Sequence, residues 1–131
     1  MLFLHHRAPH GSVVAQEGLD AVLAAAAFDQ NVTVAYLDDG VFQLVHGQDT
    51  SSIGIKNFTP AIRALAHYGV GQLLVEQESL SARGLARQDL VDATIETDET
   101  AARGPQVPLI RLVTRAELSA LMEAQDVVLS F

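Results

Sequence analysis

Residues Met1 to Gly40 read MLFLHHRAPHGSVVAQEGLDAVLAAAAFDQNVTVAYLDDG. Apolar Met1 to Leu4 fits a short buried strand, and His5 to Gly11 holds the Pro and Gly that break it. From Ser12 the period changes, with Val13, Leu19, Val22, Leu23, Ala26 and Ala27 falling at three- and four-residue intervals, as on a helix with one buried face. Ser12 suits the N-cap, and small Ala24 to Ala27 let the helix lie close to a sheet. Asn31 ends the helix, and Val32 to Leu37 is a β-rich apolar run stopped by Asp38, Asp39 and Gly40. Strand, helix, strand in this order is a βαβ unit, which requires parallel pairing and a crossover.

The same alternation continues downstream. Val41 to Val45 fits a single helical turn. Thr59 and Pro60 open a helix with Ile62, Leu65 and Ala66 on its inner face and Gly69 as its terminator. Leu73 to Val75 reads as a third strand, and Ser79 to Arg83 as a short helix closed by Gly84. Between Thr94 and Pro108 the apolar pattern fails and acidic residues, Gly and Pro cluster, so an exposed loop is expected there. Leu109 to Val113 is a fourth strand. Thr114 and Glu117 form a capping box ahead of Leu118, Leu121 and Met122, and Val127 to Phe131 is a closing strand. The expected fold class is α/β, a three-layer α/β/α domain around a mainly parallel sheet of about five strands, with residues 1–131 as one domain.

Composition narrows the function classes. At 131 residues, 49% apolar and 18% charged, the chain is a packed globular protein. Eight Lys plus Arg against sixteen Asp plus Glu give a net charge of −8, which disfavours direct binding to nucleic acid. The opening apolar run is too short for a signal peptide and no run is long enough to span a bilayer, so a cytoplasmic location is expected, with no membrane association. There is no cysteine, and therefore no thiolate nucleophile.

Two clusters of polar residues stand where the first two strands end. His5, His6 and His10 lie in a segment ahead of a helix N-terminus, where α/β sheets bind anions; the competing reading is a solvated loop shaped by Pro9 and Gly11. No Asp, Glu or His motif completes a metal site, and the dinucleotide fingerprint is missing, so no cofactor or metal is expected. Asp38 and Asp39 leave the second strand together, as a carboxylate pair of a hydrolase could, or as a plain Asp-Asp-Gly turn. Ser12, Thr59, Ser79 and Thr114 are better explained as helix caps than as nucleophiles, and no catalytic residue is assigned. Val41, Phe42, Leu44, Val45 and Phe58 make an apolar patch just beyond the sheet, which is either packed beneath the next loop or, as a candidate interface, buried by a partner.

Several segments taken in order carry a family resemblance: APHG before the first helix, EGLDAVLAAAAFDQ within it, LDDGVFQLVHGQD after the second strand, GIKNFTP, SLSARGL and the closing DVVLSF. Together they resemble the TusC/DsrF branch of the sulfur-relay subunits, and GQDTSSIGIKNFTP is more similar to the longer loop of the DsrF type. The resemblance implies the DsrE/DsrF-like α/β fold and a heterohexamer with homologous subunits of the TusB and TusD, or DsrH and DsrE, kinds. It also implies an indirect link to a TusE- or DsrC-like carrier. Sulfur in such complexes is carried on a cysteine persulfide of the TusD or DsrE subunit, for tRNA wobble-uridine 2-thiolation or for intracellular sulfur oxidation. A chain without a thiol cannot hold that persulfide, so the expected role is a non-catalytic subunit that supports a cysteine-bearing partner. The alternative is a self-assembling α/β module binding a small anion at the His5 to Ser12 segment, with homo-oligomers forming when the chain is isolated.

Overall fold

The computed structural model describes residues 1–9, 13–28, 30–45, 65, 70, 73–90, 94–96, 106–108 and 110–131, with the backbone alone described at 94–96 and 106–108. Five parallel strands form the main sheet in the order β6-β3-β2-β1-β7: β1 is Leu2–His5, β2 Thr33–Tyr36, β3 Leu73–Glu76, β6 Ile110–Val113 and β7 Val128–Ser130. Helix α1 (Val14–Ala27) joins β1 to β2, α2 (Gln77–Ala82) follows β3 without a break, and α3 (Arg115–Glu123) joins β6 to β7. A 3-10 helix, Asp38–Leu44, leaves β2.

The strand order explains the layers. From β1 through β2 and β3 to β6 the chain steps along the sheet in one direction, and from β6 to β7 it crosses back. Crossovers of one hand made in opposite directions place their helices on opposite faces. The cores agree with this. Ala15, Leu19 and Val22 of α1 pack with Phe3, Val34, Tyr36, Leu73 and Val75 on one face, whereas Leu118 of α3 packs with Leu2, Leu4, Ala35, Leu74 and Val113 on the other. Alternate residues of each strand therefore serve different cores, and the continuous apolar runs of β1 and β3 follow from burial on both sides. Each fully buried Leu or Val removes enough apolar surface from water to contribute roughly 1.5–3 kcal/mol.

The structure corrects several expectations. β1 extends to His5, which is a strand residue and not part of the following loop. Val13, expected on the buried face of the first helix, occupies the N-cap position and is 68% exposed, with no side-chain cap. Gly18 replaces it in the buried stripe, which runs Ala15, Gly18, Leu19, Val22. The helix ends at Ala27, before Asn31, with Phe28 as its C-cap. Ser79 lies inside α2, whose N-cap is Glu76. The supposed loop between Thr94 and Pro108 has ordered ends: β4 (Thr94–Glu96) pairs antiparallel with β5 (Gln106–Pro108), because extended backbones can pair without an apolar alternation in their side chains. Thr114 and Glu117 do form the reciprocal cap, with the Glu117 backbone N–H donating to Thr114 Oγ1 at 3.1 Å and the Thr114 N–H to Glu117 Oε1 at 3.3 Å. Ser12 and the expected helix from Thr59 to Gly69, apart from buried Leu65, lie outside the described residues, as do residues 97–105.

Candidate functional site

The connections that leave β3 and β6 diverge to opposite faces, and crevices at such switch points beyond the carboxyl ends of strands are where α/β sheets place ligands. Four elements meet there. Leu37 ends β2, and Asp38 follows at φ 50°, in the left-handed region that Asp tolerates better than most residues. Its backbone N–H donates to Ser79 Oγ at 2.8 Å, Ser79 Oγ donates to Glu76 Oε1 at 2.7 Å, and Arg115 Nη2 donates to the same oxygen at 2.9 Å. One carboxylate oxygen thus ties β2, α2 and α3 to the end of β3.

Glu76 is only 3% exposed. Burial pushes its carboxyl pKa up, but the hydrogen bonds from Arg115 and Ser79 and the charges of Arg115 and Arg83 outweigh that, and it titrates below the ordinary carboxylate value. Around this pair the charges are unequal. Glu78 accepts the Arg115 backbone N–H at 2.9 and 3.1 Å, and Arg83 Nε donates to Asp39 Oδ1 at 3.0 Å. Four carboxylates, those of Asp38, Asp39, Glu76 and Glu78, therefore face two guanidinium groups, those of Arg83 and Arg115. Asp38 Oδ2 has the His6 ring, with Nδ1 at 3.4 Å. An open pocket of about 340 Å³ lies against this cluster, lined by Leu37, Asp38, Glu76, Arg115, Leu118, Ser119 and Met122.

A second polar group lies beneath α1. His5 and Tyr36 are fully buried, their rings stack with centroids 4.9 Å apart, and Phe131 lies on the His5 ring at 6.0 Å. Gly18 is what lets the helix come this close, since a Cβ there would sit 2.9 Å from His5 Cε1 and 2.9 Å from Phe131 Cβ. Neither nitrogen of His5 nor the hydroxyl of Tyr36 has a hydrogen-bond partner among the described residues. Burial, with a smaller contribution from His6, pushes the imidazole down to about 4, and burial pushes the Tyr36 phenol up.

The residues singled out in the sequence divide accordingly. His6 and Asp38 do come together at the carboxyl edge, and Asp39 pairs with Arg83, away from Asp38's partner. The two aspartates are engaged separately, which removes the geometric basis of a two-carboxylate hydrolase. His5 is buried and kept neutral, so it cannot present a charged ring to an anion in solvent. His10 and Phe58 lie outside the described residues. In the apolar run after β2, Val41 and Leu44 are fully buried in the α1-side core, Val45 is half-buried against that core and bridges Leu90, and Phe42 is half-buried. Gln43, unremarked in the sequence, is buried and donates to the Arg7 carbonyl at 2.9 Å. Glu76 and Arg115 are equally unremarked there, and Ser79 is read only as a helix cap. The available signal was a charged residue directly abutting the buried run LLV with no turn between them.

Among the described residues there is no group of three or more metal-ligating side chains, and no helix long and apolar enough to cross a membrane.

The model of the DsrE/DsrF-like family matches residues 1–131. The intracellular sulfur oxidation protein DsrF of Allochromatium vinosum is 45% identical over 130 residues, covering 99% of this chain and 94% of that one. Protein TusC of Escherichia coli O8 is 38% identical over 99 residues, 73% of this chain and 83% of that one, and a TusC homolog of Vibrio parahaemolyticus is 44% identical over 91 residues, 70% and 77%. The fold is similar to that of the ychN protein from E. coli, with a TM-score of 0.71 at 19% identity, covering 99% of this chain and 97% of the other.

Proposed function

The chain belongs to the DsrE/DsrF-like family, and from that premise we propose that it is a non-catalytic subunit of a sulfur-relay complex, assisting persulfide transfer by a cysteine-bearing partner. The observation that carries this reading is the near-complete match to DsrF in a chain with no cysteine. Sulfane sulfur moves between thiolates, so a chain without one can bind, shield and orient but cannot receive. The electrostatics of the carboxyl edge support the same role. Reactive thiolates need an electropositive setting, and among the described residues this edge carries more carboxylates than guanidinium groups.

Intracellular sulfur oxidation is the favoured context over tRNA thiolation, because the DsrF match spans 99% of the chain and the TusC matches cited span 70% to 73%. The partners in this reading are homologous subunits of the DsrE and DsrH kinds, with a DsrC-like carrier reached through them. The buried, neutral state of His5 gives the alternative anion-binding module no support.

The test is a reconstituted transfer assay. The isolated chain, exposed to a persulfidated donor and read by intact mass, gains no sulfur. Added to its cysteine-bearing partners, it raises the rate or yield of transfer. A reproducible single-sulfur adduct on the isolated chain, or partners that transfer equally well without it, overturns the reading.

A further inference from the structure

We propose that the pocket between the carboxyl ends of β2 and β3 and helix α3 receives a basic side chain, lysine or arginine, from a partner protein. This deepens the relay reading and rests on it only in taking the occupant to be part of a protein chain.

The pocket has two chemistries in one small space. Leu37, Leu118 and Met122 supply apolar surface, with Met122 36% exposed, Asp38 supplies a carboxylate, and the buried Glu76 carboxylate lies behind the Arg115 guanidinium that also lines the pocket. Lysine and arginine have the matching division, a methylene stem that packs on apolar surface and a cationic head that seeks carboxylate. At about 340 Å³ the pocket has room for such a side chain.

Charge selects the sign of the occupant. Arg115 hydrogen-bonds elsewhere, its guanidinium to Glu76 and its backbone N–H to Glu78, and acts on Asp38 through charge alone, whereas among the described residues the Asp38 carboxylate has the His6 ring at 3.4 Å as its side-chain hydrogen-bond partner. With the Glu76 charge balanced by Arg115, an anion entering the pocket would still face the Asp38 carboxylate. A cation would complete the coordination of Asp38 and reduce the local excess of negative charge. The acceptor is also held in place before binding, because the Asp38 backbone is fixed by its N–H to Ser79 Oγ at 2.8 Å, and Ser79 is fixed in turn by buried Glu76. The net charge of −8 draws a basic segment toward the surface as a whole, and the pocket gives one of its side chains a specific seat.

Full-length chain labelled with ¹⁵N is titrated with three probes: a short capped peptide with a central arginine between apolar residues, the same peptide with a central glutamate, and spermidine. The arginine peptide is expected to cause saturable shifts at the amides of Leu37, Asp38, Ser119 and Met122, weakening as salt rises. Asp38→Asn, which keeps a residue tolerant of the left-handed backbone, weakens binding about threefold to fivefold. Ser119→Trp, at an exposed position of α3, fills the pocket and abolishes it; circular dichroism checks that both variants are folded. Equal shifts with the glutamate peptide, equal or stronger binding of spermidine, or unchanged binding in folded Ser119→Trp overturns the proposal. Co-purification of the chain with relay subunits is measured separately, so that loss of the relay reading and loss of the pocket are told apart.

Discussion

His5 and Tyr36 stand opposite each other in the register of β1 and β2, their rings stacked 4.9 Å apart in the α1-side core, and neither imidazole nitrogen nor phenol oxygen has a hydrogen-bond partner among the described residues. Such a pair is stable only while the imidazole stays neutral, and this sets a pH limit on the fold. The folded pKa of His5 is depressed to about 4 from an ordinary 6.5, so the unfolded chain takes up the proton first as pH falls. Its contribution is intact above about pH 6.5 and is lost progressively between about 6.5 and 4, by about 3 kcal/mol in all. Denaturant melts across this range should show the decline, and His5→Leu should flatten it. An unchanged slope in the variant would assign the acid sensitivity elsewhere.

Gly18→Ala should lower stability although alanine favours helix. The added Cβ would meet His5 Cε1 and Phe131 Cβ, each at 2.9 Å, and neither ring side chain can leave without opening the core. The strain should exceed the gain of about 1 kcal/mol in helix propensity, leaving a net loss of roughly 1 to 2 kcal/mol. Thermal melting decides this, and a variant more stable than the parent would refute it.

Removing the Arg115 side chain, as in Arg115→Met, should move the Glu76 carboxyl upward. With its main hydrogen-bond donor and nearest cation gone, desolvation is opposed only by Ser79 and Arg83. Carboxyl ¹³C titration should find Glu76 below the ordinary carboxylate value in the parent and above its parent value in the variant. In the parent the stability from this ionised carboxylate is present above the unfolded pKa and lost as pH falls through the folded one. An unmoved Glu76 would mean that Ser79 and Arg83 alone hold the charge.

Phe42→Ala should weaken assembly with partner subunits more than it lowers the melting temperature of the isolated chain. Phe42 is half-buried beside Val41 and Leu44, which already belong to the core, and interfaces draw their energy from a few aromatic anchors of this kind. A loss of about 1 to 3 kcal/mol in association is expected by analytical ultracentrifugation or calorimetry. Unfolding of the isolated chain with no separate effect on association would place Phe42 in the core with its neighbours.

What the sequence made legible was what depends on neighbours along the chain. The change of period between Leu4 and Val13, the strand before Asp38, and the reciprocal cap of Thr114 and Glu117 are local patterns, and the parallel α/β sheet follows from their order. What escaped depends on contacts between distant residues. The polarity of His5 ends an apolar run and points to a loop, yet parallel pairing with Tyr36 carries the strand one residue further. Gly18 has no local reason to be preferred inside a helix; the reason is a ring on β1 and another at Phe131. Glu76 and Arg115 are 39 residues apart and meet only because β3 and β6 are adjacent. The β4–β5 hairpin was missed because two three-residue strands have too few side chains to show an alternation.

The pairing of β7 with β1, Leu2 against Val128 and Leu4 against Ser130, bears on how the protein comes into being. A contact between residues so far apart in sequence closes a long loop, and such contacts slow folding. As the polypeptide leaves the ribosome, β1 can pair with β2 early, but its other side waits until β7 has been made. During that interval the α1-side core also lacks Phe131, which covers His5 and stacks on Phe3. Nascent chains therefore pass through a stage in which one edge of β1 and an unprotected imidazole are open to chaperones or to premature association.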